Sequence, residues 1–368
     1  MLINEYNPDS VTPPGETLRT TIEAMGIKET DLSSRLGMSL KAVSEIINGK
    51  KPITLETSGK LELVLNIPAV FWNNREMRYR EYLLSLERKK TFHEYIGWAQ
   101  DFPIKKLKEL GAIPDNPKGV DLVEALCKFF GIASPGQFST MPIAQVCYRK
   151  QNSPDEKALI SWLRLGEIEG RNHQECSAYS RDLFKTNLQK IRELINSNDA
   201  PKIFPAVKNM CAESGVVVAL IPEMPRAKVC GSSRWLESDK ALIQLSLRFK
   251  DIGNLWFTFF HEAAHILGEH SKKQILINSG RGEDCSCEST KAQEDAANRY
   301  ASDILISPSS WRSFIGRSVF TASSINAFAE SVKIPPGIVV GRLQHEGYLD
   351  WNTPLNKLKV HYKFCSNN

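Results

Sequence analysis

The chain has 368 residues, of which 42% are hydrophobic and 24% charged, and a formal net charge of +5. That length exceeds one ordinary core and predicts two or three domains, while the composition excludes fibrous and disordered classes. The longest apolar runs, such as Val216 to Ile221, are too short to span a bilayer, and Met1-Leu2-Ile3-Asn4-Glu5-Tyr6 lacks the basic-then-apolar start of a signal peptide; a cytoplasmic protein with no membrane partner is expected.

The charge is spread, with about zero over residues 1–100, about +1 over 101–200 and about +4 over 201–368. Any DNA binding must therefore come from a local patch. The eight cysteines, Cys127, Cys147, Cys176, Cys211, Cys230, Cys285, Cys287 and Cys365, are mostly scattered through apolar or mixed segments, as reduced intracellular thiols are. Cys285 and Cys287 form the one close pair and read as two loop thiols.

Residues 1–14 are polar and end in Pro13-Pro14, a stiff extended lead-in. Short helical pieces follow to about residue 90, so 1–90 is read as a compact helical domain. Within it, Glu29 to Lys50 has the layout of a helix-turn-helix. One helix ends at Gly37, which accepts the left-handed conformation that closes a helix. Ser39 is a good N-cap for the next. Val43, Ile46 and Ile47 then face the core. Lys41, Ala42, Ser44, Glu45 and Asn48 are left outward, where a recognition helix meets base edges and phosphates. Lys50 and Lys51 are placed to hold phosphates, as is Thr30 at the preceding helix start. The candidate DNA contacts are thus Thr30, Ser39, Lys41, Ser44, Asn48 and Lys50. Glu45 either reads a cytosine or is solvated. The alternative is a bundle that uses these helices only to pack or dimerise.

Pro14-Gly15-Glu16-Thr17-Leu18, the run Ile46-Ile47-Asn48-Gly49-Lys50-Lys51-Pro52-Ile53-Thr54 and Pro68-Ala69-Val70-Phe71-Trp72 resemble the HigA-type antidote branch of XRE-like regulators, over about 14–85. The resemblance implies binding of a DNA operator as a homodimer and, often, a toxin partner.

Residues 91–200 read as a helical linker or middle region, broken at Pro103, Gly111 to Pro117, Gly131 to Gly136 and Asn152 to Pro154. Ser177 to Ile195 is amphipathic, with Leu183, Leu188, Ile191 and Leu194 near helical spacing. No motif stands out here. Trp162, His173 and Tyr179 are assigned to helical packing, and the segment is expected to orient the flanking modules or cover a cleft.

The character changes in 201–368. Gly215 to Ile221 is rich in β-branched residues and predicts a buried strand. Ser232 to Trp235 and Ala241 to Leu245 predict two more, separated by the turn-like Glu237-Ser238-Asp239-Lys240. The strand 241–245 is expected to form an edge beside a cleft, to which an extended substrate can add by backbone pairing. Helices follow at about 254–269 and 289–306, with a polar loop between. The whole predicts a mainly α protein with a small β-sheet (α+β).

The first of these helices carries His261-Glu262-Ala263-Ala264-His265. Four-residue spacing puts both imidazoles on one face, one turn apart, within reach of a single Zn²⁺ at about 2.0–2.1 Å. Glu262 projects beside the metal, where it can take a proton from the attacking water. The helix is apolar nearly all round and so buried, which makes three ionisable side chains costly unless paired or metal-bound. A third ligand is needed. The candidates are His270, Glu283, Asp284, Cys285, Cys287, Glu288, Glu294 and Asp295. Glu294 is chosen on geometry. It shares a stripe with Ala297, Asn298, Ala301 and Leu305 that is small and apolar except at Glu294 and Asn298. Asp295 shares its face with Asn298, Arg299 and Ser302, which reads as solvated.

His261-Glu262-Ala263-Ala264-His265 followed by Glu294-Asp295-Ala296-Ala297-Asn298-Arg299-Tyr300-Ala301 resembles the ImmA/IrrE metallopeptidases, whose pattern is HExxH, a variable loop, then a helix E-x-x-A-N-x-F/Y-A. The likeness covers roughly 205–345 and includes Trp256 to Phe260 and Pro335 to Leu343. Ala264, where many members have glycine, and Ser307-Pro308, where many have Met-Pro, depart from it. It implies a zincin-like peptidase domain over 201–368, with His261, His265 and Glu294 as zinc ligands and Glu262 as catalytic carboxylate. It also implies cleavage of a partner protein, often a transcription regulator. An oxyanion donor is also required; Tyr300, His270 and His345 remain open. Two readings follow: a DNA-binding zinc metallo-endopeptidase, or an antitoxin or transcriptional repressor whose peptidase-like domain is silent and binds a toxin or regulator.

Overall fold

The computed structural model describes residues 11–147, 154–172, 175–196, 200–272, 275–278, 291–316 and 319–362. It is mainly helical with one four-stranded sheet, an α+β fold. Two compact units divide the chain, Met1–Ile96 and Gly97–Asn368.

The first unit holds α1 (Pro14–Ala24), α2 (Glu29–Leu36), α3 (Leu40–Ile47), α4 (Leu55–Leu65) and α5 (Ala69–His93). Leu18, Ile22, Leu32, Leu36, Val43, Ile46, Ile47, Leu61 and Trp72 form its core. Gly37 closes α2 at φ 65°, and the Ser39 hydroxyl accepts from the Ala42 amide to start α3. These two local devices set the turn between the helices. Gly15 is pressed against α3, where a Cβ would run into the carbonyl oxygens of Ile46 and Ile47. The buried Glu76 carboxylate of α5 accepts from the Ile53 amide at 3.0 Å and from Arg80 at 2.6 Å. One side chain thereby ties the loop before α4 to α5.

The second unit begins with α6 (Ile96–Gln100), α7 (Ile104–Glu109), α8 (Val120–Phe130), α9 (Pro142–Cys147), α10 (Pro154–Asn172), α11 (Arg181–Leu194) and α12 (Ala200–Glu213). The strands β1 (Val216–Leu220), β2 (Gly231–Glu237), β3 (Lys240–Leu245) and β4 (Leu276–Asn278) follow, interrupted by α13 (Ile252–Leu267). Then come α14 (Lys291–Leu305), α15 (Pro308–Ile315), α16 (Ala322–Ser331) and α17 (Pro336–His345). Strand order is β1-β3-β2-β4, with β1 parallel to β3 and the β2–β3 and β2–β4 pairs antiparallel.

This order corrects the expected edge. Residues 241–245 lie in β3, which is bonded on both sides, so it has no free backbone groups for a substrate. A strand's place in a sheet is decided by partners distant in sequence, and the tight turn after β2 says nothing of what pairs on the other side. Among the described residues the outer strands are β1 and β4. β4 is only three residues long and went unpredicted.

The two sheet faces are covered by different helices. Val216, Val218, Ala241, Ile243 and Leu245 join the core with α13, as the period-2 alternation of strands requires. The opposite face meets α10. There the Gln244 amide donates to the Trp162 carbonyl at 2.6 Å, and Arg234 donates to the Leu163 carbonyl at 2.6 Å and to Gln244 Oε1 at 3.2 Å. Gly166 and Gly170 let the helix ride close; Cβ atoms there would collide with Gln244 and Leu236. The helix α10, from the stretch read in sequence as a segment apart from 201–368, thus supplies one layer of the same unit. The reason is a buried polar network plus a glycine pair that acquire meaning only once the strands are in place.

Of the cysteines, Cys127, Cys211 and Cys230 are buried, Cys176 is half-buried, and none of these four is in a disulfide. Burial pushes the thiols of Cys127 and Cys230 up to about 11. Cys285, Cys287 and Cys365 lie outside the described residues, as does His173. Among the described residues no helix is long and apolar enough to cross a membrane.

Candidate functional site

The apolar helix α13 starts at Asp251, whose carboxylate accepts from the Gly253 amide at 2.8 Å. Its successive faces have different neighbours. Thr258 and Glu262, one turn apart, press toward β2, where a Cβ on Gly231 would meet both, Thr258 Cγ2 at 2.5 Å and Glu262 Oε1 at 3.0 Å. Glycine at 231 is therefore what makes room for the Glu262 carboxylate. His261 and His265 turn toward α14.

There the structure brings His261, His265 and Glu294 into one cluster. His261 Nε2 lies 3.1 Å from His265 Nε2 and 3.2 Å from Glu294 Oε2, and His265 Nε2 lies 3.4 Å from Glu294 Oε1. Both histidines are buried, at 2% and 1% exposure, and Glu294 is half-buried. Each remaining ring nitrogen has a partner. His261 Nδ1 is 2.9 Å from Asn298 Oδ1, and His265 Nδ1 is 3.4 Å from His270 Nδ1. The His270 ring fits there because Gly268 has no side chain; a Cβ would stand 2.6 Å from it. Asn298 was noted in the sequence as a polar break in the stripe of α14, which was the signal for its role as a partner.

Glu262 is 1% exposed, and among the described residues neither of its oxygens has a hydrogen-bond partner. Burial pushes its carboxyl up to about 7, against the pull of His261 and of the nearby Ser233 hydroxyl, which forms no well-shaped bond to it. Burial also depresses His265. For His261 burial acts the same way but is outweighed by the contact with Glu294 and the charge of Glu262, so its pKa is raised.

The far end of α14 is clamped. Arg192 of α11 donates to the carbonyls of Ile304, Leu305, Val332 and Lys333, and Arg342 of α17 donates to those of Ser302 and Ile306. Two guanidinium groups at a helix C-terminus satisfy its orphan carbonyls and complement its dipole. They hold the helix that carries Glu294 in place.

Among the other candidates, Asp295 is exposed. Glu283, Asp284, Cys285, Cys287 and Glu288 lie outside the described residues. His270 is taken up with His265. Tyr300 lines a surface cavity with Gln189 and Asp303, away from the stripe of Glu294 and Asn298, and its buried hydroxyl has no partner among the described residues. The exposed His345 ring stands 6.3 Å from Phe257, whose own ring is 6.3 Å from His261.

In the first unit Thr30, Ser39, Lys41, Asn48 and Lys50 are exposed and Ser44 is half-buried. Several are already engaged. Asn48 donates to the Ser44 carbonyl at 2.8 Å and accepts from Arg19 at 2.9 Å, while the Ser39 hydroxyl caps α3. Glu45 is half-buried and paired with Lys51 at 2.7 Å. Arg19, an exposed cation of α1 joined to the end of α3, was not anticipated; its link to Asn48 spans 29 residues.

Residues 18–72 match the family described as Helix-turn-helix. A solved structure from Nostoc punctiforme, described as a "putative antidote protein of plasmid maintenance system", matches 23% of this chain and 92% of that one at 21% identity and a TM-score of 0.22; a likeness at that level carries no argument about function. No curated protein matches the chain.

Proposed function

We propose that the chain is a DNA-binding, zinc-dependent metallo-endopeptidase that cleaves a partner regulatory protein, with Glu262 as general base. The observation that carries this reading is the convergence of three potential ligand atoms beside a buried carboxylate that has no hydrogen-bond partner among the described residues. A tetrahedral site with bonds of about 2.0–2.1 Å sets its ligand atoms about 3.3–3.4 Å apart. The separations of 3.1, 3.2 and 3.4 Å fit it. Glu262, without a hydrogen-bond partner among the described residues, fits it too, since a buried ionisable group lacking hydrogen bonds costs several kcal/mol unless something else occupies its surroundings.

Zinc held by His261, His265 and Glu294 would polarise the scissile carbonyl and acidify the attacking water. Glu262 accepts that proton and returns it to the leaving amine. β4, an outer strand among the described residues, is the edge assigned to an extended substrate in place of β3. DNA binding is assigned to the face of α3 with Lys41, Asn48 and Lys50, joined by Arg19, on the strength of the helix-turn-helix match. A cytoplasmic location accords with that role.

The test is elemental analysis of the purified full chain together with cleavage assays of candidate partner proteins. Near-stoichiometric zinc and cleavage by wild type but not by Glu262→Gln support the reading; a chain that binds no zinc rejects it. The second reading, a repressor or antitoxin whose peptidase-like domain is silent and binds a toxin or regulator, is favoured by the helix-turn-helix match, which requires no catalysis. Zinc retention without cleavage of any such partner would move the balance to it.

A further inference from the structure

We propose that Asn298 is a positioning residue that fixes the tautomer of His261. In this way α14 delivers both a ligand, Glu294, and the amide that makes its neighbour a ligand. This rests on the reading of the cluster as a metal centre.

A histidine can offer Nε2 to a metal only if its proton sits on Nδ1, and that needs an acceptor at Nδ1. The His261 ring is 2% exposed, so bulk water cannot serve. Asn298 Oδ1 stands 2.9 Å away and can. The two orientations of that amide have opposite consequences. With the oxygen toward the ring, Nδ1–H donates and the Nε2 lone pair points at His265 and Glu294. With the nitrogen toward the ring, the amide donates, the proton moves to Nε2, and it enters the space between Nε2 atoms that are 3.1 Å apart. Only the first arrangement leaves that space free for a cation.

The other histidine has no such fixed partner. His265 Nδ1 meets another imidazole, His270, at 3.4 Å, and in that pair either ring can be the donor. The neutral amide is the partner that cannot exchange roles by moving a proton. Glu294 and Asn298 are four residues apart on α14, so one helical face places both. The arginine clamp at Ile304, Leu305, Ser302 and Ile306 fixes that face from the far end.

The experiment compares the full-length wild type with Asn298→Ala and Asn298→Asp. Zinc affinity is read by competition with a fluorescent chelator, and the His261 tautomer by nitrogen NMR of the zinc-free protein labelled at histidine. Circular dichroism checks that each variant is folded. The alanine variant is expected to bind zinc about 10–100-fold more weakly, the range for loss of an orienting partner, with the aspartate variant restored to wild-type affinity or above. The His261 ring is expected as Nδ1–H in wild type and aspartate variant, and as Nε2–H or a mixture in the alanine variant. Equal zinc affinity in wild type and alanine variant, or an Nε2–H ring in the wild type, overturns the proposal. Should the alanine variant fail to fold, Asn298→Leu, of similar size and without an acceptor, takes its place with the same criteria. A wild type that binds no zinc defeats the metal reading, and the tautomer still decides whether Asn298 sets the ring.

Discussion

The two candidate sites of this chain are built in opposite ways. The α3 face draws its residues from a stretch of about twenty, all near the surface, where charge is screened and side chains are free to adapt. The cluster on α13 draws His261 and Glu294 from two helices with β4 between them in sequence, and buries the histidines at 1–2% exposure. A surface site tolerates loose positioning because solvent completes it. A buried one has to have every polar atom accounted for by protein or ligand. Two sets of atoms decide how each site is to be tested: the oxygens of Glu262, which lack a partner among the described residues, and the engaged amide of Asn48.

The strongest way to break the comparison is Glu262→Gln. On the proposed reading, loss of the general base slows hydrolysis by about 10²–10⁴-fold. Zinc content should not change, because Glu262 faces Gly231 rather than the space between the histidines. The fold should also tolerate the change, since an amide in that environment carries no charge to desolvate. A glutamine variant that loses its zinc would place Glu262 among the ligands and undo the division of roles.

Next in size is a steric test in the first unit. Gly15→Ala drives a methyl group into the Ile46 and Ile47 carbonyls, rigid backbone rather than a side chain that can swing aside. Overpacking of this kind costs roughly 1–3 kcal/mol and sometimes more. In a domain of this size that is a fall of at least about 4–8 °C in melting temperature, read by calorimetry of the full chain as a shift confined to one transition. DNA affinity should fall with it, because the displaced element is α3. A variant that melts as wild type would show that α1 and α3 are less tightly joined than the core of Leu18, Val43 and Ile47 implies.

The features that were legible in sequence are the ones set locally. Gly37 and Ser39 carry their conformations within a few residues, so the turn into α3 was readable. So was the small-residue stripe of α14 with its two polar positions, because helical periodicity alone places Glu294 and Asn298 together. The order of strands was not readable. Gln244 finds its partner Trp162 at a separation of 82 residues, and nothing near either one announces it. Gly166 and Gly170 drew no reading from the sequence, and only the sheet beneath explains them. Arg19 was missed for the same reason, as was the consequence of its bond to Asn48 for base recognition.

That bond sharpens the third test. If Asn48 serves as a bracket between Arg19 and Ser44, Arg19→Ala and Asn48→Ala should weaken operator binding to a similar extent and less than additively, since neighbours sharing one network do not act independently. Lys41→Ala and Lys50→Ala, by contrast, each remove one exposed cation. Each should lower the salt dependence of binding by about one unit of slope and weaken affinity alike for operator and random DNA. Gel shifts at several salt concentrations separate the two patterns. Unchanged binding in both Lys41→Ala and Asn48→Ala would remove α3 as the recognition helix.

The smallest effect is expected at Glu45. Its carboxylate holds Lys51 at 2.7 Å, and the hydrogen bond from Lys51 keeps its pKa below the ordinary value. A carboxyl depressed in the folded state contributes stability that is present above its unfolded pKa and disappears as pH falls through the folded one. Near neutral pH the pair is therefore formed, and Lys51 is turned toward protein rather than phosphate. Glu45→Gln frees that cation and removes a negative charge from the α3 face. DNA affinity should rise by a few-fold, with a salt slope steeper by up to about one unit as Lys51 joins the phosphate contacts. Stability should hardly move, because exposed pairs contribute little. The sign is what matters. An increase identifies Glu45 as a brake on a surface that has cations to spare, whereas a decrease confined to one operator sequence would show that this carboxylate accepts from a cytosine amine.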